Sequence, residues 1–213
     1  MKVLIVGATG RVAGYVIRNL TDAGHFVYAA ARKPDSFQID RSSVEVVPFD
    51  LHWSKARMME TVKRADAVYF LAGSRGKDLL QTDAFGAVQL MQAAEEAGVK
   101  RFIILSSIFA MEPDKWSQEE SLKNITNYNI AKFFADEWLV HNTDLDYTII
   151  QPSVLKETEG TGRIEINPEH DGSNPIPDVA RVLSDVLEMK NTYKKVIKMR
   201  TGDTEIASAL KAV

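Results

Sequence analysis

The sequence contains no cysteine, which excludes disulfides and thiolate metal sites and suits a reducing compartment. It has no surplus of positive charge. Its 26 Lys and Arg stand against 29 Asp and Glu, a formal net charge of -3, so there is no basic face with which to grip nucleic acid. It also lacks any apolar run near the ~20 residues a membrane helix needs. The N-terminal run Val3-Leu4-Ile5-Val6 is too short for the core of a signal peptide and leads straight into glycine. What remains is an ordinary globular composition, 45% hydrophobic and 26% charged. The expectation is a cytoplasmic protein that acts on a small molecule, with no nucleic-acid partner, no membrane partner and no metal. Its oligomeric state is left open. The 213 residues suffice for one well-buried core, and no repeat, low-complexity tract or linker divides them. One domain over 1–213 is expected.

Short apolar runs rich in β-branched and aromatic residues recur at Val3 to Val6, Phe26 to Ala30, Val44 to Val47, Ala67 to Leu71, Phe102 to Leu105 and Tyr147 to Ile150. They are apolar on both faces, as parallel strands covered by helices must be. Helical periodicity occupies roughly 11–23, 54–64, 78–97 and 127–141 between them, and Gly24 and Gly98 stand where helices should end. The segment from Ala31 to Val44 has no clear period and reads as loop or short helix. Residues 153–175 read as loop with a short strand around Ile164 to Ile166. A helix from about Pro177 to Met189, a strand near Val196 to Met199 and a short terminal helix follow. Strand alternating with helix defines an α/β fold: a Rossmann-type doubly wound parallel sheet, with residues 151–213 as a small extension on the substrate side.

Directly after the first strand comes Gly7-Ala8-Thr9-Gly10-Arg11-Val12-Ala13-Gly14, which opens a helix. Gly7 permits a tight turn, Gly10 permits close approach of a pyrophosphate, and the helix N-terminus supplies free N–H groups. A plain strand-to-helix turn needs glycine once, not at both positions, so a dinucleotide is the expected ligand. NAD binders carry an Asp or Glu at the end of the second strand for the ribose 2′-hydroxyl. Here that strand runs into Arg32-Lys33. A guanidinium grips a 2′-phosphate, so NADP(H) is expected ahead of NAD(H), with Arg11 as a second cation. The other reading leaves Arg32 and Lys33 solvated. Asp50-Leu51 follows the third strand, where Asp50 either meets the adenine amino group or caps the next helix. Ala72-Gly73-Ser74 follows the fourth strand and is expected against the cofactor.

Tyr128 and Lys132 are four apart, hence on one helix face. A nearby ammonium lowers a tyrosine pKa, so that the phenol passes protons near neutral pH. The spacing is common by chance. Its location, on the helix after a strand that ends in Ser106-Ser107, gives it weight. Over nearly its whole length the sequence resembles the short-chain dehydrogenase/reductase superfamily, in its atypical NmrA-like or epimerase-like branch. The resemblance rests on GATGRVA at 7–13, Asp50-Leu51, Asp83 and Gly86, VKRFIILSS at 99–107, YNIAK at 128–132, DYTIIQPSVL at 146–155 and PDVA at 177–180. It implies that Tyr128 is the catalytic acid/base, that Lys132 holds the nicotinamide ribose and that Ser107 orients the substrate carbonyl. It places Pro152 and Val154 beside the carboxamide. Asp83 stands where most of the superfamily has asparagine and could pair with Lys132, but a carboxylate cannot donate as an amide does.

These residues lead to an NADP(H)-dependent oxidoreductase that reduces a small carbonyl, quinone or flavin-type compound. The segment 108–126, with Phe109, Met111 and Trp116, facing the loop 153–163, is offered as substrate wall, or else its aromatics as mere cover for the sheet end. Two alternatives stand beside this reading, an NAD(P)-dependent epimerase or dehydratase and a non-catalytic NADP(H)-sensing regulator. Only about sixty residues follow the sixth strand, which argues against a nucleotide-sugar substrate.

Overall fold

A computed structural model describes every residue except Gln38 and Asp40. Strands β1 (Lys2–Val6), β2 (Phe26–Ala31), β3 (Val44–Pro48), β4 (Ala67–Phe70), β5 (Arg101–Leu105) and β6 (Asp146–Pro152) alternate with helices α1 (Arg11–Asp22), α2 (Lys55–Val62), α3 (Gly86–Glu96), the short α4 (Pro113–Trp116) and α5 (Thr126–Asn142). After β6 come β7 (Val154–Lys156), β8 (Arg163–Ile166), β9 (Ser173–Pro175), α6 (Ile176–Asp185), β10 (Lys195–Thr201), β11 (Thr204–Glu205) and α7 (Ile206–Lys211). The principal sheet has nine strands in the order β11-β8-β10-β6-β5-β4-β1-β2-β3. From β3 to β10 every pairing is parallel. The order reverses beside β1, which is the switch point of a doubly wound fold.

Alternation along each strand builds two cores. Val3 and Ile5 of β1 face α1, α6 and α7, whereas Leu4 and Val6 face α2, α3 and α5. Helix α1 is amphipathic and buries Val12, Ala13, Val16, Ile17 and Leu20 against the first of these layers.

The structure departs from the sequence expectation in three places. The sheet is not parallel throughout, because β8 pairs antiparallel with both β10 and β11 at one edge. A strand at the end of a sheet needs no crossover helix, which frees it to run either way. The helix expected at 78–97 begins as a π-helical segment, Leu79–Phe85. A Cβ on Gly86 would sit 2.8 Å from the Gln81 carbonyl oxygen and 3.0 Å from Leu51 Cβ, so the widened turn ends at a residue without a side chain. The stretch 153–175, expected as loop around one short strand, also holds β7 and β9, which pair parallel in a separate two-stranded sheet. The aperiodic stretch after β2 holds a 3-10 turn, Pro34–Ser36, as a loop or short helix there predicts; Gln38 and Asp40 of that stretch lie outside the described residues.

Candidate nucleotide and catalytic cleft

The C-terminal ends of the parallel strands open into a cleft of about 820 Å³. Its floor is the loop between β1 and α1. Gly7 has φ +93°, and a Cβ there would come within 2.5 Å of the Ala72 backbone nitrogen. Only glycine satisfies both constraints. Gly10 precedes α1 in extended conformation, and its N–H donates to the Gly7 carbonyl at 2.9 Å. Among the described residues no side chain caps α1 and no acidic residue occupies its first turn. Its leading N–H groups and positive dipole end are therefore left for an anion. Thr9 is exposed on this loop, while Val12 is buried and reaches the cleft from beneath. Ala13 is wholly buried in the α1 core, and Gly14 faces open space.

Arg32, Asp50, Leu51, Ala72, Gly73, Ser74, Pro152 and Val154 all line the cleft, as their positions at strand ends predict. Lys33 does not. It precedes the 3-10 turn, where its carbonyl accepts from Ser36 N and Oγ, and the turn carries it away from the opening. Asp50 is not the cap of α2, a role that Ser54 fills by accepting from Arg57 N. Asp50 Oδ1 instead accepts from His52 N at 2.9 Å, which holds the carboxylate at the cleft edge. Arg11 reaches across the opening to Glu157 at 2.8 Å, with both side chains more than half exposed.

Among the lining residues that the sequence did not single out are three charged ones on one turn: Arg75, Lys77 and Asp78. They ride on a tight turn in which Arg75 and Gly76 both have positive φ (55° and 80°), closed by Lys77 N donating to the Ser74 carbonyl at 3.2 Å. The only sequence signal was the glycine, which is compatible with any turn. Hydrogen bonds from Thr82 and His52 hold Asp78 below the usual carboxylate range, with Arg32 adding to the effect.

The catalytic candidates meet at the other end of the cleft. Ser107, Tyr128 and Lys132 line it together. Two neighbouring serines have separate employment: Ser106 Oγ donates to Asp136 Oδ2 at 2.6 Å, and Ser107 follows it into the opening. Lys132 is buried, donates to the Leu105 carbonyl at 3.2 Å and lies 5.7 Å from the Tyr128 ring centroid. The expected lowering of the Tyr128 pKa is not found. Burial pushes the phenol up; Lys132 pulls it down, and the carboxylates of Asp83 and Asp136 oppose that pull. Asp83 stands behind the cleft wall, fully buried, with Oδ2 accepting from Ser74 N at 2.9 Å and Oδ1 unpartnered. It forms no ion pair with Lys132 among the described contacts, because Lys132 extends instead to the Leu105 carbonyl.

Of the two readings of the aromatics, cover for the sheet end is the one that fits. Phe109 is fully buried in a small core with Ile108 and Leu122, and Trp116 packs on this core while its Nε1 donates to the Phe109 carbonyl at 2.9 Å. Neither aromatic, nor Met111, reaches the cleft. Ile108, Ser121, Leu122 and Ile125 face it from one side, and Ser153 and Leu155 face it from the other.

A glycine cradle, an uncapped helix N-terminus and a mixed apolar and polar cleft beyond them fit a nicotinamide dinucleotide. Residues 7–190 match the model of a family described as NAD(P)H-binding. The chain belongs to that NAD(P)H-binding family. It is similar to the crystal structure of the oxidoreductase ylbE from Lactococcus lactis, with 44% identity, a TM-score of 0.96 and coverage of 100% of this chain and 96% of that one. It is also similar to a Bacillus halodurans structure provisionally assigned as an NAD-dependent epimerase/dehydratase, with 32% identity, a TM-score of 0.89 and both chains covered in full (100%). Among curated proteins it is 33% identical to the uncharacterized sugar epimerase YhfK of Bacillus subtilis, over 99% of each chain. Among the described residues no helix is long and apolar enough to cross a membrane.

Proposed function

We propose that this protein is an NADPH-dependent reductase of a small carbonyl, quinone or flavin-type compound. The observation that carries the reading is the division of one cleft into two ends. Arg32, Arg75 and Lys77 line the end towards β2, Arg11 is paired with Glu157 across the opening, and Ser107, Tyr128 and Lys132 line the other end. The cationic end suits a 2′-phosphate; a guanidinium binds it bidentately where a carboxylate would repel it. Asp50 and Asp78 share that end, but His52 and Thr82 engage the Asp78 carboxylate.

When bound, NADPH supplies hydride. The chain's own residues do the rest. Gly7, Gly10 and the first turn of α1 would hold the pyrophosphate, and Pro152 and Val154 would lie toward the nicotinamide. Ser107 orients the substrate oxygen by hydrogen bonding. Tyr128 gives that oxygen its proton, and the Lys132 ammonium favours the phenolate left behind. Relatives named as epimerases fit the same site if the cofactor is regenerated within each turnover. Net consumption of NADPH with a panel of carbonyls and quinones supports the reductase, and turnover without net consumption supports the epimerase.

The cofactor assignment has its own test. Fluorescence titration should show NADPH binding at least about tenfold more tightly than NADH, a difference of roughly 1.4 kcal/mol. Arg32→Asp should erase the preference. Equal affinities in the parent protein would remove the 2′-phosphate from this reading.

A further inference from the structure

Tyr128, Lys132 and Asp136 fall at successive four-residue steps of α5 and so share one face of the helix. The chemistry above uses the first two and leaves the third, a carboxylate with no exposed surface. Asp136 Oδ2 accepts from Ser106 Oγ at 2.6 Å and from Gln151 Nε2 at 2.9 Å, while Oδ1 has no partner. Both donors are neutral. Burying a carboxylate with a spare oxygen is unfavourable, and an asparagine would accept the same two bonds without carrying a charge. Packing alone gives no reason for an acid here.

We propose that Asp136 tunes the proton-transfer pair: its buried charge, one helical turn beyond Lys132 on the same face of α5, sets how readily Tyr128 gives up its proton. The proposal rests on the catalytic reading of Tyr128 and Lys132. The charges around the carboxylate are few. On α5, Lys132 favours its ionised form and Glu137 opposes it; the neutral Ser106, just beyond β5, and Gln151 of β6 complete its surroundings. From the π-helical segment, Asp83 acts on Tyr128 in the same sense as Asp136 does.

Burial pushes the Asp136 carboxyl up to about 6, with the hydrogen bonds from Ser106 and Gln151 and the charge of Lys132 pulling the other way. It is therefore ionised at neutral pH and neutralised as the pH falls through that value. The folded value lies above the ordinary 3.8. Its stabilising contribution is thus fully present below the unfolded value and is lost as the pH rises through about 6. At neutral pH the charged form costs stability. A charge buried at such a cost, and bonded to Ser106 of the cleft lining, fits a functional charge better than a structural one.

The test is an NMR titration of the apo protein carrying ζ-carbon-labelled tyrosine, with the Tyr128 resonance assigned by its loss in Tyr128→Phe. In the parent, that resonance should show a small inflection near pH 6 as Asp136 titrates. In Asp136→Asn the inflection should vanish and Tyr128 should become a stronger acid, by on the order of tenfold. Ser106→Ala is the second variant, chosen because it keeps the carboxylate but removes a bond that favours its ionised form. It should move the inflection to higher pH. A Tyr128 resonance indifferent to both substitutions would reduce Asp136 to a structural group. The same change should appear in NADPH oxidation with menadione as acceptor, where the parent's inflection near pH 6 disappears from the kcat profile of Asp136→Asn. A parent protein that turns over no acceptor would defeat the reductase reading, while the NMR result would still decide the fate of Asp136.

Discussion

A single hydroxyl at Tyr128 decides between an enzyme and a cofactor-binding platform. Tyr128→Phe removes the proton donor and keeps the ring, so kcat for any reduced substrate should fall by about two to four orders of magnitude, the usual weight of general acid catalysis. NADPH affinity should hardly change, because the phenol lies at the opposite end of the cleft from the phosphate loop. An unaltered kcat would mean that the proton comes from solvent. At this scale the sequence was most legible where the chemistry is local. Gly7, Gly10, Arg32 and Ser107 stand in the cleft as their positions beside strand ends required. The sequence was least legible where a property depends on distant partners. The phenol acidity of Tyr128 turns on burial and on Asp83 and Asp136, which lie 45 and 8 residues away in sequence, and spacing to Lys132 alone gave the wrong direction. Composition left Phe109 open between substrate wall and cover for the sheet end, and it folds inward on Ile108 and Leu122.

The elements that make the cleft differ in how much strain they carry, and the two loop glycines separate fold from function. At Gly7 a methyl group would meet backbone at 2.5 Å in a residue with φ +93°. Gly7→Ala should therefore push the β1–α1 loop off the end of β4 and destabilise the whole fold by about 2 kcal/mol or more. At Gly10 the nearest atom to an added Cβ is the Gly7 carbonyl oxygen, at 3.1 Å, and φ is an ordinary -75°. Gly10→Ala should melt close to the parent temperature but bind NADPH more weakly, since its methyl group occupies the space a pyrophosphate needs. Thermal melts with and without NADPH distinguish the two. A Gly10→Ala protein stabilised by NADPH as fully as the parent would disprove close phosphate approach at this loop. The neighbouring turn at Arg75-Gly76 and the π-helical start at Leu79 were illegible beforehand, because a turn glycine and a helical period are both compatible with more regular geometry. Each departs from regularity next to the cleft, where such strain is commonly kept.

Across the whole molecule the two ends of the parallel strands have different work. The C-terminal ends carry the cleft; the N-terminal ends carry a buried arginine that ties the sheet to the end of α6. Arg101, the first residue of β5, is 4% exposed. Its Nε donates to the Leu187 carbonyl at 2.9 Å and its Nη2 to the Val186 carbonyl at 2.5 Å. Its Nη1 reaches the Asp146 carbonyl and Thr148 Oγ1 at 2.7 and 2.8 Å. One guanidinium thus joins β5 and β6 to the carbonyls just beyond α6, where a cation also complements the helix dipole, and it stacks over the Tyr193 ring at 4.3 Å. Tyr69 adds a second tie from β4 to α6 through its hydroxyl and the Leu183 carbonyl, 2.8 Å apart. Arg101→Met keeps most of the apolar volume but strands several buried carbonyls at about 1 to 3 kcal/mol each before relaxation. The expected loss is about 3 kcal/mol of unfolding free energy, read as a lower denaturation midpoint in urea with little change in slope. NADPH affinity, measured at a temperature where the variant is still folded, should match the parent's, because every group in the cleft lies at the other end of the strands. A variant that keeps its stability but loses cofactor binding would contradict this division, and would make the arginine part of the path that shapes the cleft.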